Sequence, residues 1–390
     1  MLLSAVMLKE FRTMEHVMKY KVRVLIVDDS IVVRQALKNI LESDPEIQVI
    51  ATAEDPIIAW EKIRADRPDV ITLDVEMPRM DGLTFLKQLM QEDPIAVVMC
   101  SSLTAEGSAT ALTALASGAV EIIQKPRVGV LQFMEEAKIR IRTAVKAAAM
   151  ARIKPRLANA CEMTHTVDPL LRNAPLSGGL PQKGQRIVVV GAATGGRDAL
   201  HVLLRTLPPN APGMLIVQHM PEHLTGALAR ELDKLSNITV KEAAQNSEIV
   251  PGCALVAPGN VHAMLKRSGD RYFAELKDGP LVCQHRPSID VLFRTTARYA
   301  GADAIGIILS GMGDDGAKGL LEMKQAGAVT FAQDEETSVI FGMARSAINI
   351  GAVDRVLPLQ ELAGAVMQTA FTAHDFMTVE GSSTFCRTQR

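Results

Sequence analysis

Twice along the chain, short runs of apolar residues alternate with segments of helical periodicity. The first alternation opens with Val22–Val27 and continues to about residue 149, and the second opens at Ile187. Short apolar runs of this kind are typical of strands buried on both faces of a parallel sheet, and parallel strands need crossover helices between them. The sequence therefore predicts an α/β protein built from two doubly wound parallel-sheet domains.

Proline and glycine divide the two alternations between residues 150 and 184, and the 390-residue length fits two or three domains. We predict an N-terminal extension (1–20), a first domain (21–140), a linker (141–184), a second domain (185–373) and a C-terminal tail (374–390). Within the second domain, three strand-like runs lie between glycine and aspartate turns and predict antiparallel hairpins added to the sheet: Cys253–Ala257, Val261–Lys266 and Arg271–Leu276.

Composition limits the class of partner. The formal net charge is -2 and aromatic residues make up 4% of the chain, so neither a basic surface nor stacking platforms favour nucleic-acid binding. No apolar run reaches the roughly 18 residues that a membrane-spanning helix needs, so no direct membrane insertion is expected. The five cysteines form no CxxC pair and predict neither a disulfide framework nor a zinc site. These features favour a cytoplasmic location.

Acidic residues end two strands of the first alternation. Asp28 and Asp29 follow its first strand and Asp74 follows its third, and the carboxyl ends of parallel strands meet at one crevice. Carboxylates this close favour Mg²⁺, and an aspartate beside the ion can attack a phosphoryl donor. Ser101 and Lys125, at the ends of the fourth and fifth strands, are placed to hold the new phosphoryl group.

The stretches LIVDDS, DVEMPRMDG, SSLT and QKP make residues 21–140 similar to a response-regulator receiver domain, which has a flavodoxin-like fold. The resemblance implies that Asp74 is the phosphoacceptor and that Ser101 and Lys125 are the switch residues. It also implies a Mg²⁺ site of three carboxylates and one backbone carbonyl: Asp28, Asp29, Asp74 and Glu76. Ile122 stands where the family usually has an aromatic switch residue.

A glycine-rich turn, a histidine and an aspartate follow strands of the second alternation. The turn Gly191–Gly196 opens a helix, His219 follows a strand, and Asp315 lies in a glycine-rich loop after another. A dinucleotide site is disfavoured, because the spacing is not G-x-G-x-x-G and Gln218-His219 stands where an acidic ribose ligand is expected. The layout fits a nucleophile, a base and an orienting acid, with oxyanion donors in the turn.

The motifs VGAATGG, QHMP, APGN, HRPSIDVLF, SGMGDDGAKG and FGMAR make residues 185–373 similar to the catalytic domain of chemotaxis protein-glutamate methylesterases, which is Rossmann-like. The resemblance implies hydrolysis of glutamyl methyl esters, and deamidation of glutamines, on methyl-accepting chemotaxis receptors. A chemotaxis histidine kinase would be the phosphodonor, and the esterase site would need no cofactor. By the same resemblance His219 is the general base and Asp315 orients it.

One position departs from that pattern, because Ala193 occupies the place of the nucleophilic serine. Alanine has no hydroxyl to deprotonate, so the chain is predicted to be inactive or very weak. Either an engineered replacement or a natural loss of hydrolysis explains Ala193. The alternative function is that of a phosphorylation-controlled receptor-binding or scaffold protein. Of the neighbouring polar residues, His285 is predicted to be structural, and Arg286 either attracts an acidic receptor helix or stabilises a loop.

Overall fold

The computed structural model describes residues 21–101, 105–125, 131–153 and 186–371. The predicted N-terminal extension, most of the predicted linker and the predicted C-terminal tail lie outside these ranges. The α/β class with two parallel sheets is confirmed. The exact domain boundaries stay predictions, and the last helix of the first unit runs on to Met150.

The first sheet has five parallel strands in the order β2-β1-β3-β4-β5. The strands are β1 (Val22–Val27), β2 (Ile47–Ala53), β3 (Val70–Asp74), β4 (Ala96–Ser101) and β5 (Glu121–Gln124). The helices are α1 (Ile31–Glu42), α2 (Pro56–Ala65), α3 (Gly82–Glu92), α4 (Ala105–Ala116) and α5 (Leu131–Met150).

Local sequence fixes the loops beside the first sheet's acidic residues. The side chain of Ser30 accepts the N–H of Val33 and caps α1, and the side chain of Asp81 accepts the N–H of Thr84 and caps α3. A Cβ on Gly82 would lie 1.8 Å from the backbone oxygen of Asp74, so only glycine lets α3 begin against this strand end. The loop after β3 is therefore held close to Asp74.

The second sheet has seven parallel strands in the order β15-β14-β13-β6-β7-β10-β8. These strands are β6 (Ile187–Ala192), β7 (Met214–Gln218), β8 (Thr239–Glu242), β10 (Cys253–Val256), β13 (Ala304–Ile308), β14 (Val329–Gln333) and β15 (Arg355–Leu357). A separate antiparallel sheet contains β9 (Ser247–Ile249), β11 (His262–Ser268) and β12 (Arg271–Lys277). The helices are α6 (Gly196–Thr206), α7 (Glu222–Leu235), α8 (Ile289–Tyr299), α9 (Ala317–Gln325), α10 (Met343–Asn349) and α11 (Leu359–Ala370).

The predicted antiparallel section is only partly right. The last two of its three runs pair antiparallel as β11 and β12. The prediction that the run beginning at Cys253 is a hairpin strand is wrong. It forms β10 and pairs parallel with both β7 and β8. Its four residues are all buried, which suits the interior of a parallel sheet.

The two units contact each other through apolar and polar side chains. Leu224 of α7 is fully buried in the apolar cluster formed by α3, α4 and the first sheet, and Met220 packs beside it. Arg152, just after α5, donates to the backbone oxygen of Glu335 and forms an ion pair with its carboxylate. Among the described residues, no helix is long and apolar enough to cross a membrane.

Candidate functional site

The central strands of the second sheet bring the predicted triad positions together. The chain order reverses between β13 and β6, and a ligand crevice forms at such a point outside the carboxyl ends of the strands. Ala193 directly follows β6, His219 directly follows β7, and Asp315 lies in the loop after β13. The N–H of His219 donates to the oxygen of Ala192 at 2.9 Å, so the base position lies beside the glycine turn.

The backbone of residue 193 is fixed from three sides. Its N–H donates to the oxygen of Ser310 at 3.0 Å, and its oxygen accepts the N–H of Gly196 at 2.7 Å and the amide of Gln218 at 2.9 Å. Gly195 has a φ of +80°, a left-handed conformation that glycine adopts without strain. The turn is consequently tight, and Ala193 is only 6% exposed.

The buried carboxylate of Asp315 accepts a hydrogen bond from His219 Nε2 at 2.9 Å. Three further donors hold this carboxylate: the hydroxyl of Ser288 at 2.8 Å and the N–H groups of Ile289 at 2.8 Å and Asp290 at 2.9 Å. Burial alone would raise the pKa of Asp315. The hydrogen bond and charge of His219 and the backbone donors outweigh burial and lower the pKa to about 2. Asp315 is therefore ionised at neutral pH and fixes Nε2 as the nitrogen that carries a proton.

The other ring nitrogen of His219 has no hydrogen-bond partner in the described part of the chain. Nδ1 is buried and accepts no hydrogen bond from any described residue. A buried polar atom normally has a hydrogen-bond partner. Residue 193 lies beside this strand end, and its methyl side chain offers no donor.

The contacts of two supporting residues were not predicted from the sequence. The ring of His285 stacks on that of His219, with centroids 3.7 Å apart and planes at 11°. The buried carboxylate of Asp290 accepts the N–H groups of Gly316 and Gly319 and so holds the start of α9. The motif HRPSIDVLF contains His285 and Asp290, but its letters do not indicate what either side chain contacts.

Cys283, Asp290 and Asp315 place one potential metal-ligand atom each within 4.8 Å of one another. Their chemistry does not suit an ion. Burial, with the nearby carboxylates, raises the pKa of the Cys283 thiol to about 12, and both carboxylates already accept backbone N–H groups. A thiolate is the form that binds metal, so this cluster is not a metal site.

The first unit covers the glycine turn. The hydroxyl of Thr194 donates to the carboxylate of Glu121, at the start of β5, at 2.6 Å. The two residues line a cleft between the units together with Ala193 and Leu115. Burial raises the pKa of Glu121, while the hydrogen bonds from Thr194 and its own strand lower it to a smaller extent.

The acidic residues of the first unit converge as their strand positions predict. Oxygens of Asp28, Asp29 and Asp74 lie within 4.8 Å of one another. The ammonium of Lys125 lies 2.7 Å from Asp74 and 3.2 Å from Asp28. Burial, opposed by Lys125 and reinforced by the charge of Asp28, raises the pKa of Asp74 to about 6. The N–H of Glu76 donates to Asp74 at 3.4 Å.

These residues fit a hard cation. Oδ2 of Asp28 and Oδ2 of Asp74 are buried and accept no hydrogen bond of good geometry from a described residue. Among the described residues, Lys125 is the one cation that forms an ion pair with them. Oxygen-rich, negatively charged sites with room for water suit Mg²⁺. Ser101 is the last residue of β4 and pairs with Gln124 of β5 in the sheet. The side chain of Ser101 lies outside the described part of the chain. Ile122 is buried in the core of the sheet.

Two family models match separate parts of the chain. The family described as "CheB methylesterase" matches residues 188–366, and the one described as "Response regulator receiver domain" matches residues 24–134. "Protein-glutamate methylesterase/protein-glutamine glutaminase 3" of Geobacter metallireducens is 57% identical over 89% of this chain and 99% of its own length. A similarly named protein, number 5 of Anaeromyxobacter dehalogenans, is 58% identical over 87% of this chain and 94% of its own. The solved catalytic domain of Thermotoga maritima CheB methylesterase is 37% identical to this chain. The match covers 48% of this chain and 99% of that domain, with a TM-score of 0.47.

Proposed function

The chain belongs to the family of chemotaxis protein-glutamate methylesterases/protein-glutamine glutaminases that carry a receiver domain, and from this membership we propose that its second unit holds a Ser-His-Asp type esterase site with residue 193 at the nucleophile position. The observation that supports the proposal most strongly is the pairing of His219 with the ionised Asp315, which leaves Nδ1 of His219 buried and without a hydrogen-bond partner among the described residues.

With serine at position 193, Nδ1 of His219 takes the hydroxyl proton as the oxygen attacks the glutamyl ester carbonyl. Asp315 holds Nε2–H and stabilises the imidazolium that forms. The negative charge on the carbonyl oxygen is received by backbone N–H groups at the start of α6. Nδ1–H then protonates the methoxy oxygen as its bond to the carbonyl carbon breaks, so methanol leaves and a glutamyl ester of the serine remains. Water, deprotonated by the same nitrogen, attacks this ester; the bond to the serine oxygen breaks, Nδ1–H returns the proton to that oxygen, and glutamate and serine are released.

Ala193 breaks this sequence at its first step, because no side-chain oxygen is present to attack the ester. The chain as given is therefore expected to bind methylated receptor with very weak turnover, the residual activity coming from binding and the oxyanion donors. This substitution also supports the second candidate function, a receptor-binding or scaffold protein that phosphorylation controls and that does not hydrolyse its partner.

We propose that the receiver is phosphorylated on Asp74. Mg²⁺ would be held by Asp28, Asp29, Asp74 and the backbone carbonyl of Glu76, and when bound it would neutralise charge between the carboxylates and the incoming phosphoryl group. Lys125 already contacts two of these carboxylates, and Ser101 at the end of β4 is the second switch residue.

The receiver is proposed to inhibit the esterase by covering it. Glu121 of β5 contacts Thr194, directly after the nucleophile position, and Leu115 of α4 lines the same cleft. A receptor helix has to reach residue 193, which the docked receiver shields. Phosphorylation by a chemotaxis histidine kinase would favour the parted arrangement and admit methyl-accepting chemotaxis receptors in the cytoplasm.

Restoring the missing oxygen tests the proposed function. Ala193→Ser should raise methanol release from methylated receptor by several orders of magnitude, since loss of a triad nucleophile costs up to about a millionfold in kcat. His219→Ala in that background should abolish the gain. If the folded Ala193→Ser protein binds receptor but stays inert, the esterase proposal is wrong and the non-hydrolytic binding function is favoured.

A further inference from the structure

A second histidine lies face to face with the proposed base. The rings of His285 and His219 are nearly parallel, at 11°, with centroids 3.7 Å apart. His285 belongs to the segment that precedes α8, whereas His219 follows β7, so the two rings meet only through the fold. The triad as described has no role for His285.

The contact matters because one hydrogen bond does not fix a ring plane. The torsion that rotates an imidazole has broad minima, and the bond from Nε2 to Asp315 restrains one edge of the ring only. A flat partner against the ring face removes the remaining rocking motion. It thereby fixes where Nδ1 points, and Nδ1 is the nitrogen that has to meet residue 193.

The same short segment also locates the acid. Ser288 and the N–H of Ile289 donate to Asp315, and His285 lies just before them in the chain. One piece of backbone therefore positions both the carboxylate and the ring that it orients. A shift of this segment would move both members of the pair together.

We propose that His285 is a positioning residue of the esterase site: its ring face holds the plane of His219 so that Nδ1 is presented to residue 193 while Nε2 stays on Asp315. The inference rests on the proposed role of His219 as base, but its structural part, the fixed ring plane, can be measured without turnover.

The charge of His285 suits this role. Burial, together with the charges of His219 and of Arg140 on α5, lowers the pKa of His285 to about 3, and the opposing charge of Asp315 only partly offsets them. His285 is therefore neutral at physiological pH. His219 can hold a proton during the reaction without a second cation against its face.

The first test uses the chain as it stands, with Ala193. Nitrogen-15 labelled histidine reports the Nε2–H of His219, and Asp315→Asn identifies that signal by its loss. His285→Phe keeps a flat face and should preserve a sharp Nε2–H signal. His285→Leu has similar bulk without a flat face and should broaden the signal or speed its exchange with water. An unchanged signal in His285→Leu overturns the inference.

The second test uses the Ala193→Ser background and separates kcat from KM. A small misplacement of a catalytic group costs up to about 100-fold, so His285→Leu should lower kcat by about 10- to 100-fold with KM unchanged. His285→Phe should recover most of kcat. A folded Leu variant with full kcat, or a folded Phe variant as poor as Leu, overturns the inference. If Ala193→Ser itself is inert, the esterase proposal fails, and the nitrogen-15 signals still decide whether His285 fixes the ring.

Discussion

Replacing Thr194 by valine should loosen the contact between the receiver and the glycine turn. The Thr194 hydroxyl donates to Glu121 at 2.6 Å, and the N–H of Ile122 is the other donor to that carboxylate. Valine keeps the shape of threonine and removes the hydroxyl. In the docked arrangement the half-buried Glu121 then loses one of its two donors, whereas in the parted arrangement water replaces the lost bond.

The expected increase in the population with the receiver parted from the turn follows from that difference. Leaving a buried polar group without its partner costs about 1–3 kcal/mol, so Thr194→Val should raise the parted population by about 5- to 150-fold. A second contact between the units provides the comparison. The side chains of Arg152 and Glu335 form an ion pair at 2.9 Å and are 52% and 48% exposed. An exposed ion pair contributes about 0–1 kcal/mol, so Glu335→Gln should change the population by less than about 5-fold.

Thiol labelling measures the parted population without needing turnover. In an Ala193→Cys chain, residue 193 reacts with an alkylating reagent only when the receiver leaves the turn, because this position is 6% exposed in the docked form. Mass spectrometry of the peptide that contains residue 193 separates this thiol from the five cysteines already in the chain. Under slow labelling, the rate is proportional to the parted population.

Two comparisons make the result decisive. After phosphorylation, Thr194→Val and the parent chain should label at similar rates, which shows that valine leaves the thiol's own reactivity unchanged. Before phosphorylation, Thr194→Val should label faster than Glu335→Gln by a clear margin. Equal labelling of the two variants would refute the reasoning that the buried hydrogen bond, and not the exposed ion pair, holds the receiver closed.

Two further predictions concern the receiver. Incubation with acetyl phosphate and Mg²⁺ should add one acid-stable, base-labile phosphoryl group, and a label that persists in Asp74→Asn would contradict the assignment. Mg²⁺ affinity should fall as the pH drops below about 6, because the pKa of Asp74 is raised to about 6 and protonation removes ligand charge. Calorimetric titrations at about pH 7.5 and about pH 5 measure this change, and equal affinities would exclude Asp74 as a ligand.

The strand-end residues were predictable because their position depends on local pattern and one rule of topology. The run Val22–Val27 has in the structure the bounds that its apolar pattern predicts. Parallel strands bring their carboxyl ends to one edge, so separate strand ends were expected to meet. The run at Cys253 failed this reasoning, because four buried residues between turns fit a parallel and an antiparallel partner equally well.

Contacts that depend on the packing of distant segments were not predictable. Glu121 and Thr194 are 73 residues apart and belong to different sheets, and nothing in either local pattern indicates a partner. The stacking of His285 on His219 likewise requires a particular path for the segment before α8. Periodicity reports which face of an element is buried, whereas these contacts depend on how elements from two units meet.

The site keeps its shape without a serine because no side-chain atom of residue 193 holds the turn. Its N–H and oxygen make the contacts with Ser310, Gly196 and Gln218, and these bonds are the same for alanine and serine. Asp315 is likewise held by its own donors, independently of residue 193. Loss of the hydroxyl therefore removes the attacking atom while leaving the fold and the cleft in place. The same architecture fits an esterase that lacks only its nucleophile and a binding protein that does not hydrolyse its partner, so turnover and receptor binding have to be measured together after the oxygen is supplied.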